Sequence, residues 1–256
     1  MDGAELQLFE ETRPRLLGLA YRILGSRADA EDAVQDCFLK WLDADRSQIM
    51  TPGAWLSTVC TRRCLDLLRA GDRVRIDYVG PWLPEPIQLA TPPAVEGKLA
   101  ESLTTAFLLL LERLTPKERA VYLLREIFDQ SYAEIAAMLE MEEAACRKLF
   151  WRARQNIDHG KIRHVTPRKT QDGLLRTFQL AVLSGSTTQL AALLSSDIRL
   201  TTDTGGKTVA ARRILAGEEV FNALSRAHVW WDGCHWEITD MNGGRGAILT
   251  KNDQPV

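Results

Sequence analysis

Long hydrophobic runs are missing from this sequence. No stretch reaches the roughly 18 consecutive apolar residues that a membrane-spanning helix needs. The first residues, MDGAELQLFEE, also lack the basic segment and the apolar run of a secretory signal. We therefore expect no membrane association and a location in the cytoplasm.

Cysteine is scarce and follows no metal-binding pattern. The sequence has five cysteines, Cys37, Cys60, Cys64, Cys146 and Cys234. This odd, scattered set argues against the disulfide framework of a secreted domain. Cys60 and Cys64 would share one helix face, but no histidine or second cysteine pair follows at the spacing of zinc ligands. We expect small buried residues here, with no metal and no cofactor.

What is present is typical of a folded protein with several domains. At 256 residues the chain is long for one core, and its hydrophobic fraction of 45% is ordinary. The net charge of -2 hides a separation by region. Acids outnumber bases ten to five in residues 1–45, whereas residues 144–170 carry eight bases and one acid. This asymmetry indicates one face for phosphate and another for a protein partner, although a solvated helix face has the same pattern.

Signals for helix ends recur along the N-terminal part of the chain. Apolar residues have helical spacing before Gly25, which can end a helix with a positive φ. Asp29 is predicted to cap the next helix. Thr51 followed by Pro52 is predicted to start a third helix, which runs to about Leu68. The pattern predicts an all-helical first domain.

A second helical domain is expected after a proline-rich linker. The linker contains Pro81, Pro84, Pro86, Pro92 and Pro93, which favour an extended chain. Thr115 with Glu118, and Ser131 with Glu134, have the spacing of a capping box at the start of a helix. Both boxes precede apolar residues at helical spacing, so the domain is predicted to be all helical.

The C-terminal third mixes helix and strand patterns. Residues 174–182 and 190–194 are spaced as helices, whereas strands are expected at 198–202, 229–238 and 247–250, with a turn at Gly205 and Gly206. We therefore expect a multidomain chain with two all-α domains and one α+β domain. The expected boundaries are 1–75 for the first domain, 76–98 for the linker, 99–164 for the second domain and 165–256 for the third.

The segment from Ser131 to Arg154 has the pattern of a helix-turn-helix. It reads SYAEIAAMLEMEEAACRKLFWRAR, with a capped helix, a turn near Glu140 and Met141, and a second helix rich in basic residues. In this motif the second helix lies in the major groove of DNA. A plain helical hairpin with a solvated basic face is the alternative. The candidates for DNA contact are Arg147, Lys148, Arg152 and Arg154, of which the first two lie nearest the groove.

Several segments occur in an order that is typical of one family. The chain contains RPRLLGLAYRILGS, DAEDAVQDCFLKW and PGAWLSTVCTRRCLDLLR, followed by LTPKERAVYLLREIFDQSYAEIAAML and EEAACRKLFWRAR. The first three resemble region 2, and the last two region 4, of the extracytoplasmic-function sigma factors of bacterial RNA polymerase. The resemblance implies a promoter-recognition subunit that is not an enzyme. A ligand-responsive helix-turn-helix regulator that does not bind core polymerase is the alternative.

The C-terminal third resembles a domain found in one subgroup of these factors. The chain contains GPWLPEPI, TTDTGGKTVAARRILAGEEV and MNGGRGAIL. These resemble the linker and the SnoaL-like domain of the SigJ-like sigma factors, which implies an NTF2-like, cone-shaped fold that tunes activity. Relatives continue beyond the position of Val256, so the domain looks truncated. The interdomain linker residues are Trp82, Leu83, Pro84, Glu85 and Pro86. Of these, Trp82 and Leu83 are expected to dock on the C-terminal domain, and a simple tether is the alternative.

The resemblance also implies two sites in region 2. Asp32, Gln35 and Asp36 share one helix face, which is expected to dock on the β′ clamp coiled coil of RNA polymerase, with Leu39 adding apolar area and the β subunit as a further partner. The residues expected to contact the minus-ten promoter element are Thr58, Thr61, Arg62, Arg63, Arg69 and Arg73. Arg62 departs from the family, because many relatives carry asparagine there.

SnoaL-like domains resemble polyketide cyclases and ketosteroid isomerases, which need a positioned Asp or His as acid or base. The candidates are Asp203, His228, His235 and Asp240. No spacing singles out a pair, so we expect no catalysis and leave small-molecule binding open.

Overall fold

The structure, a computed structural model, describes residues 3–75, 83–86, 104–158, 167–203, 213–242 and 244–255. The chain divides into two compact units, one of residues 1–77 and 94–162 and the other of residues 78–93 and 163–256. Trp82, Gly205, Gly206 and the side chain of Arg73 lie outside the described residues. None of the described helices combines the length and the apolarity that crossing a membrane requires. Within the same ranges, no cluster of histidine, cysteine or acidic side chains is arranged to hold a metal ion.

The first unit begins with three long helices. They are α1 (Gly3–Leu24), α2 (Arg27–Asp43) and α3 (Pro52–Arg75), with a short 3-10 helix (Arg46–Gln48) before α3. Gly25 has a φ of 74° directly after α1, and α3 starts at Pro52, so both of these predictions are confirmed. The helix continues past Leu68 because a single glycine, Gly71, costs only about 1 kcal/mol in a helix interior.

The predicted cap of α2 is wrong. Ser26 is the cap residue, and its hydroxyl accepts a hydrogen bond from the backbone N–H of Asp29 at 3.3 Å. Because Gly25 ends α1 and Ser26 is already extended, the cap position comes earlier than predicted. Asp29 lies in the first turn instead, where a negative charge favours the helix dipole.

The helices α1, α2 and α3 enclose an apolar core. Its fully buried members include Leu16, Ile23, Leu56, Cys60 and Cys64. Cys37 is also buried, and a hydrogen bond with Cys60 and burial raise the pKa of its thiol. The cysteines of this domain are free and buried, as predicted.

Four shorter helices follow among the described residues of the first unit. They are α4 (Thr105–Leu111), α5 (Pro116–Glu126), α6 (Tyr132–Leu139) and α7 (Glu143–Asp158). Both predicted capping boxes are confirmed. In the second box, the Glu134 N–H donates to the Ser131 hydroxyl at 3.2 Å, and the Ser131 N–H donates to the Glu134 carboxylate at 2.7 Å. Hydrogen bonds from Ser131 hold the pKa of Glu134 below its usual range.

The second unit is α+β, as predicted. Its helices are α8 (Arg168–Leu183), α9 (Thr187–Leu193), α10 (Glu218–Arg226) and α11 (His228–Trp231). Its strands are β1 (Arg199–Leu200), β2 (Leu215–Ala216), β3 (His235–Met241), β4 (Gly244–Lys251) and β5 (Gln254–Pro255). Strands β1 and β2 form an antiparallel pair, and β3, β4 and β5 form an antiparallel sheet in that order. The apolar core between α8, α9 and α10 contains Ala181, Val182, Leu190, Val220 and Leu224.

One strand prediction in this unit is partly wrong. The tryptophan-rich stretch was expected to be extended from Val229 to Ile238, but residues 228–231 form α11 and the strand begins at His235. Gly233 separates the two elements with a φ of 72°. Aromatic residues favour strands by packing on a pleated surface, and here Trp231 packs edge-on against Trp236 from a helix.

Candidate polymerase and nucleic-acid interfaces

The helix-turn-helix has the expected geometry. Helix α6 ends at Glu140, whose φ of 52° turns the chain towards α7. Ile135 and Met138 of α6 and Cys146 and Phe150 of α7 are buried, which holds the two helices at a fixed angle. This small shared core leaves the opposite side of α7 open to solvent.

The outward face of α7 follows from helix geometry. Cys146, Phe150, Ala153 and Ile157 are the buried residues of the helix. With 3.6 residues per turn, Lys148, Trp151 and Gln155 lie on the opposite side. Trp151 is 61% exposed. It was missed as a candidate from the sequence, although projecting the helix around its apolar stripe would have placed it between the basic residues.

Arg147 is held in place at the start of α7. Its guanidinium lies 4.7 Å from the ring centroid of Tyr132 and forms an ion pair with Glu143, one turn earlier. A cation over an aromatic face is attracted by the ring, so this contact restricts the arginine. Lys148 is exposed and has no side-chain partner among the described residues.

Arg152 forms an ion pair with a buried acid of the same domain. Its Nε lies 3.3 Å from Oε1 of Glu118, a residue that is only 4% exposed. The other carboxylate oxygen, Oε2, accepts hydrogen bonds from the backbone N–H and the hydroxyl of Thr115 at 3.1 and 2.9 Å. A buried carboxylate needs such partners because burial removes its hydration. Arg152 thus ties α7 to the start of α5, and its own side chain is 62% exposed. Arg154 is exposed as well.

The hydroxyls of the two threonines in the expected minus-ten stretch both donate to backbone carbonyls of α3. Thr61 is fully buried, and its hydroxyl donates to the Ser57 carbonyl at 2.8 Å. Thr58 is half-buried and donates to the Ala54 carbonyl at 2.9 Å. Threonines inside helices often form this bond to the preceding turn. The position of Thr61 does not fit the DNA contact expected of it.

Arg62 contacts the helix-turn-helix within the same unit. Its Nε donates to the Met138 carbonyl at 2.8 Å, its Nη2 to the Ala137 carbonyl at 3.4 Å, and its Nη1 lies 2.9 Å from Oε1 of Glu140. The last carbonyls of a helix have no partner within the helix and carry partial negative charge. Arg62 therefore caps the C-terminus of α6. Arg69 pairs with Asp66 at 3.1 Å on the same helix.

Further cations join α1 to α5 and to Phe128, which follows α5. Arg119 of α5 is 3% exposed, and its Nη1 donates to the Ile23 carbonyl and to the Glu112 carboxylate, both at 2.8 Å. Phe128 packs against the guanidinium groups of Arg15 and Arg22, each 5.8 Å from the ring centroid. Burial lowers the pKa of Arg22 to about 10, so it stays charged at neutral pH. Arginines therefore make most of these contacts between α1 and the residues of α5 and Phe128.

The expected core-docking face of α2 is exposed. Ala33, Val34, Cys37 and Trp41 are buried and turn this face outward. Asp32 and Gln35 are exposed, and Leu39 is 51% exposed. Asp36 is half-buried, and its Oδ2 accepts a hydrogen bond from Nε of Arg63 at 2.5 Å. The residues of both expected region 2 sites therefore meet at Asp36 and Arg63.

In the second unit, linker residues contact the α+β fold. The Leu83 N–H donates to the Asp203 carboxylate at 2.9 Å, and Pro84 is buried, whereas Glu85 and Pro86 are exposed. Asp203 therefore serves as a hydrogen-bond acceptor for the linker.

The other acid/base candidates have local roles. Nδ1 of His228 lies 2.7 Å from the Ser225 carbonyl. Asp240 pairs with Arg245 at 3.1 Å and with Arg168 at 3.3 Å. His235 is exposed at the start of β3. His228 and Asp240 thus have hydrogen-bond or ion-pair partners within the described part of the second unit.

Comparison with known proteins agrees with this architecture. The family model of Sigma-70 region 2 matches residues 8–74, and that of Sigma-70 region 4 matches residues 104–157. The ECF RNA polymerase sigma factor SigJ of Mycobacterium tuberculosis is 36% identical over 219 residues, which cover 84% of this chain and 70% of SigJ. The probable ECF RNA polymerase sigma factor SigI of the same species is 35% identical over 153 residues, covering 59% of this chain and 53% of SigI.

The whole described fold also has a solved counterpart. The crystal structure of Mycobacterium tuberculosis SigJ superposes with a TM-score of 0.73 and 29% identity, covering 98% of this chain and 89% of SigJ. The expected fold class of two helical domains and a SnoaL-like α+β domain is confirmed. Region 2 and region 4 together distinguish the chain from a regulator that carries a single helix-turn-helix. The chain belongs to the extracytoplasmic-function (ECF) RNA polymerase sigma factors.

Proposed function

We propose that this sigma factor binds RNA polymerase core through the exposed face of α2 and reads promoters through α3 and α7. Two surfaces of opposite charge carry the proposal. They are an acidic face with exposed Leu39 on α2 and a basic outward face on α7. Complementary charge guides association with a basic partner such as the β′ clamp coiled coil, and Leu39 adds apolar contact area. The β subunit is the second expected contact. Since polymerase and promoters lie in the cytoplasm, the protein acts there.

The minus-thirty-five element is the proposed target of α7. Lys148 and Trp151 occupy the centre of its outward face, and Arg147 is oriented beside them by Tyr132. Basic side chains contact phosphate and guanine, and an apolar side chain can contact the methyl group of thymine. Arg154 is exposed and suits a phosphate contact. Arg152 has a smaller part, because Glu118 already holds it.

The minus-ten element is the proposed target of α3, through Arg62, Arg69 and Arg73. Single-stranded promoter DNA binds where cations follow its backbone. Arg62 donates to carbonyls of α6 in this structure, so it reaches DNA only after those hydrogen bonds break. The packed arrangement of the first unit therefore represents a form that has not engaged the minus-ten element.

The C-terminal unit is proposed to tune activity without catalysis. The contacts of Asp203 and Asp240 are structural, and those of His228 are to a neighbouring backbone carbonyl. The hydrogen bond from Leu83 to Asp203 supports linker docking within this unit. A conformational change in the C-terminal domain, including one caused by binding of a small molecule, would therefore alter the position of the linker.

Transcription in vitro tests the proposal. Purified core polymerase, this protein and a promoter library should yield transcripts from a defined subset of promoters. If the protein shifts promoter DNA by itself but opens no promoter with core polymerase, the proposed function fails.

Charge reversal tests the core-docking face separately. We expect D32K and D36K each to weaken core binding, because both place a cation where an acid would meet a basic partner. D32K should leave thermal unfolding unchanged, whereas the new lysine of D36K faces Arg63 and should lower the unfolding temperature. E142K makes the same charge change on an exposed residue of the other helical domain and serves as the control. Unchanged affinity of both α2 variants would refute the docking assignment.

A further inference from the structure

The ion pair between Arg63 and Asp36 joins the two proposed functional surfaces of region 2. Arg63 belongs to the minus-ten stretch of α3, and Asp36 to the core-docking face of α2. Nε of Arg63 lies 2.5 Å from Oδ2 of Asp36, and the two side chains are 36% and 37% exposed. Both groups are therefore within reach of an outside partner while they hold each other.

Asp36 differs here from its neighbours on α2. Asp32 and Gln35 are exposed, and across the described ranges neither has a side-chain partner. Among the minus-ten arginines, Arg62 pairs with Glu140 and Arg69 with Asp66, and neither acid belongs to the core-docking face. Among these arginines, Arg63 is thus the one whose partner belongs to the proposed core-docking face.

We propose that Arg63 competes with polymerase core for Asp36. The inference rests on the proposed core-docking role of α2. A basic residue of the polymerase that approaches Asp36 replaces Arg63 as the partner of its carboxylate. The released guanidinium on α3 is then available to promoter phosphate. Core binding and minus-ten binding therefore support each other, because coupling between two binding sites is reciprocal.

The exposure of the pair sets the size of this competition. An ion pair that is partly open to water shifts an equilibrium by about two- to fivefold. Such a shift is small but has a defined sign. If Arg63 competes, removing it tightens core binding, whereas if Arg63 orients Asp36 for the polymerase, removing it weakens core binding.

The substitution Arg63→Gln separates these outcomes in the full chain. We expect R63Q to bind purified core polymerase about two- to fivefold more tightly than the parent protein in a fluorescence competition assay. We expect D36N and D36N/R63Q to bind alike, because the competitor matters only while its target is present. R27Q removes a cation from the start of α2, where Arg27 pairs with Glu31, and controls for net charge.

Three results would overturn the inference. The first is an affinity of R63Q for core polymerase no higher than that of R27Q, and the second is weaker core binding by R63Q than by the parent protein. The third is tighter core binding by D36N/R63Q than by D36N. R63M repeats the test with different packing should R63Q unfold at a lower temperature. The core-docking function itself fails only if D32N and D36N also leave core binding unchanged, so the two failures are distinguishable.

The assembled holoenzyme tests the second half of the coupling. We expect R63Q holoenzyme to bind a single-stranded minus-ten fragment more weakly than R27Q holoenzyme, because the released guanidinium is missing. Equal binding would show that Arg63 does not reach DNA after release and would overturn the coupling.

Discussion

The guanidinium of Arg62 lies 2.9 Å from the carboxylate of Glu140, the residue that ends the bracing helix of the helix-turn-helix. The same guanidinium donates to the Met138 and Ala137 carbonyls of that helix. One arginine of the proposed minus-ten reader therefore caps an element of the minus-thirty-five reader. These contacts use three of the five N–H donors of Arg62 and fix its guanidinium against α6.

Glu140→Asn should favour release of Arg62. Asparagine tolerates the left-handed φ of 52° at this position, so the turn is kept while the carboxylate is lost. We expect holoenzyme containing E140N to bind a minus-ten fragment up to about fivefold more tightly, as loss of one exposed ion pair allows. The control is E142Q, an exposed acid two residues away. Equal affinity of E140N and E142Q would contradict a restraining role for Glu140.

Lys148 and Arg152 should differ in the salt dependence of DNA binding. Each phosphate contact contributes about 0.9 to the slope of log affinity against log salt concentration. We expect K148Q to lower the slope by about 0.9 and R152Q to leave it nearly unchanged, because Arg152 is paired with Glu118. Titration of a minus-thirty-five duplex at several salt concentrations measures both. A matching loss of slope in R152Q would place Arg152 at the DNA.

Trp151→Ala should affect promoter recognition without affecting folding. The side chain is 61% exposed, so the free energy of unfolding should stay within about 0.5 kcal/mol. Binding of the preferred minus-thirty-five sequence should weaken, mainly at the one base pair whose thymine methyl group the indole contacts. Competition among single-base variants of the duplex measures this, and W230A, which removes a tryptophan that is 66% exposed in the second unit, is the control. A uniform loss over all sequences would exclude base recognition.

Arg119→Met should destabilise the first unit. The side chain is 4% exposed, and its removal deletes its ion pair with Glu112 and its hydrogen bond to the Ile23 carbonyl. Breaking a buried pair in this way costs about 3 kcal/mol. Urea unfolding should show this loss of unfolding free energy. The control R113Q changes an exposed residue next to Glu112 and should unfold as the parent protein does. An unfolding free energy equal to that of R113Q would mean that Arg119 is not needed for stability.

Helix starts and helix-turn-helix geometry were predictable because their signals are local. A capping box such as Ser131 with Glu134 satisfies backbone groups within four residues, and the turn at Glu140 depends on one backbone conformation. The errors arose where two local signals competed. Ser26 and Asp29 are both good caps, and the left-handed Gly25 decides between them by where it ends α1. The tryptophan-rich stretch became partly helical because packing outweighs strand propensity.

The sequence by itself determined the family, the order of the domains and the helices that carry each proposed site, because spacing and capping act over a few residues. Only the tertiary structure decided which basic side chains are engaged. Arg62, Arg63 and Arg152 are similar in sequence, yet their partners are Glu140, Asp36 and Glu118, each distant along the chain. A long arginine side chain can reach many acids, and helix packing selects one of them. Periodicity places a residue on one face of a helix but does not identify the charged residue that a neighbouring helix or turn brings against it.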